Sequence, residues 1–257
     1  MSSTRQTEQI REFMAITNAT RSTAEKFLKE NRWSLDYAIN DLYNRRENFT
    51  NQDHGYDEQL VATYYHYASK NGTMDSEALI RYVNNLGYQL EDPVTICLAH
   101  LLHVENLTAD INEDQFLSRW DSLRCNNIEQ MQRYMDSMEQ QLHQDPRYFQ
   151  TIYSYTFELA LEGDDRQLSI ETAIAYWKLL FINNSYASTI PYGRLHSWFQ
   201  FLHEQTEFTS ISKDTWEMFL PFALKFPNDR ELLAGYNVME SWPIAIDEYW
   251  EWLKLTQ

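Results

Sequence analysis

The sequence predicts an all-α protein, a small three-helix bundle followed by a larger helical domain. Three observations carry that expectation. Apolar residues recur at three- and four-residue spacing over long stretches; only 6 Gly and 6 Pro occur in 257 residues, too few for a sheet-rich fold with many tight turns; and residues that start or stop helices flank the apolar periods. With 43% hydrophobic and 15% aromatic residues, the chain can bury a sizeable core in one or two domains.

Taken in order, Thr7 to Met14 is a first short helix with Ile10, Phe13 and Met14 on one face, followed by a turn over residues 15–20. Ser22-Thr23-Ala24-Glu25 is a capping box that opens a second helix with Ala24, Phe27 and Leu28 inward. Asn31-Arg32-Trp33 breaks it, and Ser34 caps a third helix that buries Leu35, Ala38, Ile39 and Leu42. Residues 44–56 are polar and unpatterned; the small module is assigned to 1–46, a linker to 47–56 and the larger domain to 57–257. In that domain the periodicity predicts helices over 57–69, 76–86, 91–104, 112–122, 127–144, 146–161, 169–182, 193–204, 212–226 and 242–254. Asn112-x-x-Gln115 forms a capping box, Pro146 stands at a helix start, and Gly87 and Gly163 follow helix ends.

Two strings near the C-terminus each place a carboxylate beside a tryptophan at a helix start. They are Ser212-Lys213-Asp214-Thr215-Trp216 and Ser241-Trp242-Pro243-Ile244-Ala245-Ile246-Asp247-Glu248. In the second, Trp242, Ile246, Tyr249, Trp250 and Leu253 form an apolar stripe, with Asp247 and Glu251 one turn apart beside it. Like charges at that spacing repel mildly, which suits a basic partner.

Charge and composition narrow the functional classes. The formal net charge of -17 argues against nucleic acid, whose phosphates require a basic surface. Residues 1–50 carry 8 Lys/Arg against 7 Asp/Glu, and residues 51–257 carry 13 against 31, so the larger module suits a basic protein surface. No apolar run has the length of a membrane span. Cys97 and Cys125 lie far apart among apolar residues, which argues against a disulfide framework and for a cytoplasmic and nuclear location.

Signs of catalysis or metal binding are scarce. Aligning Gly72 with the glycine of a calcium loop puts Tyr67 and Ala78 at its first and last ligand positions, and neither offers a carboxylate. A second loop ending in Ala109-Asp110-Ile111-Asn112 lacks the acidic ends as well. His100 and His103 lie three apart without a third ligand at suitable spacing, and no phosphate-binding glycine loop or nucleophile elbow occurs. Cys97 belongs to an apolar helical run, the setting of an inert thiol, and Cys125 follows Arg124 without a base beside it. Neither a cofactor, a metal nor a catalytic residue is expected.

The string Ala24-Glu25-Lys26-Phe27-Leu28, with Asn31-Arg32-Trp33-Ser34-Leu35-Asp36-Tyr37-Ala38-Ile39-Asn40, resembles a ubiquitin-associated (UBA) domain. That resemblance implies ubiquitin binding through Met14, Ala15 and Ile16 after the first helix and Leu42 and Tyr43 at the end of the third. Met14-Ala15-Ile16 departs from the usual Met-Gly-Phe type of loop by lacking its glycine. The two C-terminal strings, Leu86-Gly87-Tyr88-Gln89-Leu90-Glu91-Asp92, Cys97-Leu98-Ala99-His100-Leu101-Leu102, Tyr148-Phe149-Gln150-Thr151-Ile152-Tyr153 and Ala175-Tyr176-Trp177-Lys178-Leu179 together resemble the PONY domain of the defective-in-cullin-neddylation family, in its fungal form.

The family resemblance implies a scaffold-type, non-catalytic ligase component that joins a cullin to the neddylation conjugating enzyme. Carried over by position, the cullin C-terminal winged-helix domain is met by Asp214, Ser241 and Asp247, the middle one usually alanine in the family. The acetylated N-terminal helix of the conjugating enzyme is met by a pocket of Leu79, Ile96, Leu98, Leu102, Ile111, Leu159, Tyr176 and Leu179. Most of these residues also have the alternation of ordinary core. A monomer is expected, as are degenerate calcium-loop-like units. The alternative is a ubiquitin receptor in which the UBA-like module carries the main activity.

Overall fold

The structure, a computed structural model, describes residues 2–17, 21–42, 55–69, 71–182, 190–205 and 208–256. Tyr43 and residues 47–54 of the expected linker lie outside them. The helices are α1 (Ser2–Thr17), α2 (Arg21–Glu30), α3 (35–42), α4 (Glu58–Tyr67), α5 (Ser76–Asn85), α6 (Val94–Leu101) and α7 (Glu113–Ser122). They continue as α8 (Ile128–Gln144), α9 (Pro146–Leu159), α10 (Ile170–Phe181), α11 (Tyr192–Glu204), α12 (Lys213–Lys225), α13 (Asp229–Gly235) and α14 (Ile244–Thr256). Among the described residues the strands are β1 (Gln167–Ser169) and β2 (Ser210–Ser212), so the all-α class holds. Two compact units result: Met1–Tyr82 with Asp110–Ile128, and Val83–Ala109 with Glu129–Gln257.

In the first unit, the N-terminal helices bury Ile10, Phe13, Ala24, Phe27, Leu28, Ala38 and Leu42 against one another, with Met14, Trp33, Leu35 and Ile39 at the edge. This is the core that the apolar spacing predicts. The helix limits differ. α1 runs on to Thr17, so Ala15 and Ile16 lie in its last turn and not in a loop; the Thr17 hydroxyl donates to Phe13 O at 2.7 Å. Without a glycine to adopt left-handed backbone, nothing stops the helix at Met14. α2 begins at Arg21, which places Ser22 inside the helix and not at its N-cap. Its end falls where expected: Arg32 and Trp33 take φ of 53° and 62°, and Trp33 N–H donates back to Leu28 O at 2.6 Å.

The same unit contains α4, α5 and α7. The rings of Tyr64 and Tyr82 each meet Phe116, at 5.3 and 5.4 Å between centroids, and Tyr67 meets Tyr82 at 5.1 Å. Met74 and Ile111 exchange backbone hydrogen bonds of 2.9 and 3.0 Å, and the Tyr64 hydroxyl donates to Gly72 O at 2.9 Å. Such a bridge is how paired calcium loops join, yet Tyr67 and Ala78 are buried in apolar packing. Among the described residues no group of three or more His, Cys, Asp or Glu is placed to hold a metal. The Asn112 capping box on α7 is present in both directions.

The second unit is organised by stacked aromatics. The Trp216 ring stacks between Tyr153 and Trp177, at centroid distances of 4.8 and 5.0 Å and interplanar angles of 11° and 12°. Met131, Met135, Met138 and Leu142 give α8 its buried face, and Asp145 caps α9 with Pro146 in its first turn. β1 and β2 pair antiparallel, with the buried Leu168 opposite Ile211. Each strand runs straight into a helix cap, Ser169 for α10 and Ser212 for α12.

α6 spans only 94–101 of the predicted 91–104, because Pro93 restricts its approach and His103 turns left-handed at φ 52°. α14 begins at Ile244 and not at Trp242, since Pro243 precedes its first turn. No described helix is long and apolar enough to cross a membrane.

Candidate protein-docking site

Asp214 stands in the first turn of α12, and the local sequence explains why it faces solvent. Ser212 leaves β2 and accepts the Thr215 N–H at 3.1 Å, which fixes the helix start. Two residues beyond Asp214, Trp216 Nε1–H donates to Tyr153 O at 2.9 Å, while the Tyr153 hydroxyl donates to Trp216 O at 2.6 Å. Trp177 Nε1–H closes the network on the Tyr153 hydroxyl at 2.9 Å. One face of the turn is thereby sealed in the core and Asp214 is left exposed. The neighbouring Lys213 is engaged by Glu158, and Asp214 has no ion-pair partner among the described residues. Its negative charge also complements the positive end of the helix dipole.

Ser241 and Asp247 flank the start of α14. Ser241 is exposed in the connection from α13, and Asp247 is half-buried in the first turn. The Tyr236 hydroxyl donates to Asp247 Oδ1, and the Tyr236 ring stacks on Trp250 at 5.0 Å and 25°. Burial, followed by the hydrogen bond to Asp247, pushes the Tyr236 phenol above its ordinary pKa. The mild repulsion expected between Asp247 and Glu251 is relieved differently for each: Asp247 has Tyr236, and Glu251 pairs with Lys254 at 2.7 Å.

The two carboxylates lie on helices that pack together. Trp242 meets Phe222 at 5.7 Å and Phe226 at 6.5 Å, and Lys225 pairs with Glu240 at 2.6 Å, so the approach to α14 rests on the last turns of α12. Asp214 precedes Phe222 by eight residues, about 12 Å along the helix axis. Asp214 and Asp247 are therefore separate charges on adjoining helices, without mutual contact.

The buried Arg194 lies where α11, α12, α13 and α14 meet. Its Nε donates to Phe226 O at 2.8 Å and its Nη1 to Asp229 Oδ1 at 2.7 Å, with the Tyr249 hydroxyl as a further acceptor. This joins α11, the end of α12, the start of α13 and the middle of α14. Arg194 and Tyr236 carry no signal of their roles in the sequence. Neither belongs to an apolar period, and only their partners, 35 and 11 residues away, give them a role.

The second predicted set divides. Ile96, Leu98, Leu102, Ile111 and Leu159 are buried, and Leu79, Tyr176 and Leu179 are half-buried. Leu79 and Ile111 belong to the first unit and the other six to the second. Near Leu102, the Tyr155 hydroxyl donates to Val104 O at 2.6 Å, and His100 meets the Tyr155 ring at 4.9 Å. Burial, followed by the charge of His103, lowers the His100 pKa, which favours a neutral imidazole. In the N-terminal module, Ala15 and Ile16 are exposed and Met14 is half-buried. Leu42 belongs to the bundle core and not to its surface, since the stripe of α3 points it inward. Tyr43 lies outside the described residues.

Residues 130–252 match the family model described as cullin binding, and residues 7–48 match the UBA-like domain. The chain is 51% identical to defective in cullin neddylation protein 1 of Eremothecium gossypii, over 99% of this chain and 98% of that protein. Its identity to the proteins of the same name is 37% in Candida glabrata (99% and 98% covered) and 34% in Saccharomyces cerevisiae (96% and 93% covered).

Proposed function

Because the chain belongs to the defective-in-cullin-neddylation family, we propose that it promotes cullin neddylation as a scaffold, holding a cullin and the neddylation conjugating enzyme together. The single observation that supports this most is the placement of Asp214 and Asp247. Both stand in helix first turns, within the stretch that matches the cullin-binding family, and neither is neutralised by a described cation. Two such carboxylates favour a surface bearing Lys or Arg, with charge-assisted hydrogen bonds of about 1.5–3 kcal/mol where water is partly excluded. Ser241 lies between them in sequence, small enough to let a partner approach.

The conjugating enzyme's N-terminal helix is assigned to the apolar residues of the second unit, with Tyr176 and Leu179 as their accessible members. An amphipathic helix laid on apolar side chains is a common recognition mode. Catalysis in this reading is positional: tethering both partners raises effective concentration and narrows the angle of approach, and the bond making belongs to the conjugating enzyme and its ligase. Ubiquitin binding by Ala15 and Ile16 of the N-terminal module is an accessory activity.

A reconstituted neddylation reaction on a cullin C-terminal domain, with and without the protein, tests the reading. Stimulation that survives deletion of residues 1–50 supports the scaffold; a function that disappears with residues 1–50 supports the ubiquitin-receptor alternative.

A further inference from the structure

The connection between α13 and α14 carries a feature that the carboxylates do not explain. Val238, Met239 and Ile244 are 60%, 85% and 71% exposed, three large apolar side chains within seven residues. Isolated exposed apolar residues are ordinary, whereas a run of them beside a charged site marks an interaction surface. The segment is also held firmly. Met239 N–H donates to Asn237 Oδ1 at 3.0 Å, Glu240 N–H to Asn237 O at 2.9 Å and Trp242 N–H to Glu240 O at 2.8 Å. Glu240 is clamped by Lys225 at 2.6 and 2.8 Å and by Trp242 Nε1–H at 3.0 Å, and Pro243 is buried. A turn whose polar groups are satisfied internally presents apolar tips at little further entropic cost on binding.

We infer that Val238 and Met239, with Ile244, form an apolar rim of the cullin-docking surface, and that the cullin element meeting Asp247 presents an apolar side chain beside its cations. The inference rests on the proposed cullin reading. Two observations commit the rim to that partner and not to a separate one. The rim is continuous in chain with Ser241 and Asp247 and lies inside the stretch matching the cullin-binding family. Charge agrees: Glu240 is already neutralised by Lys225, whereas Asp247 and Glu248, three and four residues after Ile244, have no ion-pair partner among the described residues, and a complementary surface is cationic at one edge and apolar at the other. Asp247 then sets orientation and encounter rate, and the rim slows dissociation.

Calorimetric titration of the full chain with a cullin C-terminal domain, over a salt series and at two temperatures, tests this. The double substitution Val238→Ser with Met239→Ser touches exposed side chains, and its unchanged melting temperature certifies the fold. We expect it to weaken binding about tenfold, to make the heat-capacity change of binding less negative and to leave the salt dependence intact. Asp247→Asn is expected to weaken binding with a shallower salt dependence and little change in heat capacity. If the serine variant binds like the parent while Asp247→Asn is impaired, the rim is refuted and the acidic site stands. If the parent itself does not bind the cullin domain, both fall.

Discussion

The hydroxyl of Tyr236 donates to Oδ1 of Asp247, from a ring stacked on Trp250. The phenol is raised above its ordinary pKa by burial and by that carboxylate, so it remains a donor across the neutral range and holds Asp247 in one orientation. Tyr236→Phe removes the donor and keeps the stacked ring. We expect a stability loss of about 1 kcal/mol and weaker cullin binding, checked by urea denaturation and by titration with a cullin domain. Binding equal to the parent's would mean that Asp247 needs no positioning.

Arg194 is a buried cation where α11 to α14 meet, shared among Phe226 O, Asp229 and the Tyr249 hydroxyl. Arg194→Ala is expected to cost about 3 kcal/mol, toward the lower end of the usual range because Asp229 retains contact with water. Arg194→Lys should recover little, since an ammonium cannot reproduce the planar fork. The shift in urea midpoint measures both; full recovery with lysine would show that charge alone matters.

The stack of Tyr153, Trp216 and Trp177 supports the turn that carries Asp214. Trp216→Ala is predicted to destabilise by about 3–5 kcal/mol, and Trp216→Phe by less, since it keeps a ring but loses the indole donor to Tyr153 O. Calorimetric melting of the two variants gives the comparison.

Burial sets the alkaline limit of stability. The Cys97 thiol is pushed up to about 12 from its ordinary 9.0 by burial, and the buried phenols of Tyr82 and Tyr153 are raised by the same cause. Each of these folded-state pKa values lies above the unfolded one, so the native state holds its proton longer. Their contribution is complete below pH about 9 and is lost as pH rises from there toward 12. Urea midpoints should be flat in this respect from pH 7 to 9 and fall above it. At pH 8 a thiol reagent should label Cys97 only when the protein is unfolded; rapid labelling of the native protein would contradict its burial.

The parts of this protein legible in sequence are those where one signal repeats or a side chain caps its own helix. The Met131, Met135, Met138 and Leu142 stripe, the Asn112 capping box and the Ser212 cap with Asp214 behind it all follow from spacing. What escaped depends on pairing at a distance or on short length. β1 and β2 have three residues each, too few for alternation to register, and the seven-residue α13 has its signal mainly in the Asn228 cap. The partners of Asp247 and Arg194 are set by tertiary packing. The continuation of α1 through Ile16 shows that a missing glycine is itself information, because a helix without a stop signal runs on.

In the proposed function the negative charge at the start of α14 docks a cullin, and Asp247→Lys in a cullin pull-down, paired with reconstituted neddylation and a melting curve, decides the matter. The expected outcome is a folded protein that neither retains the cullin nor stimulates its modification. A folded Asp247→Lys variant that still captures the cullin and stimulates the reaction as the parent does would contradict it.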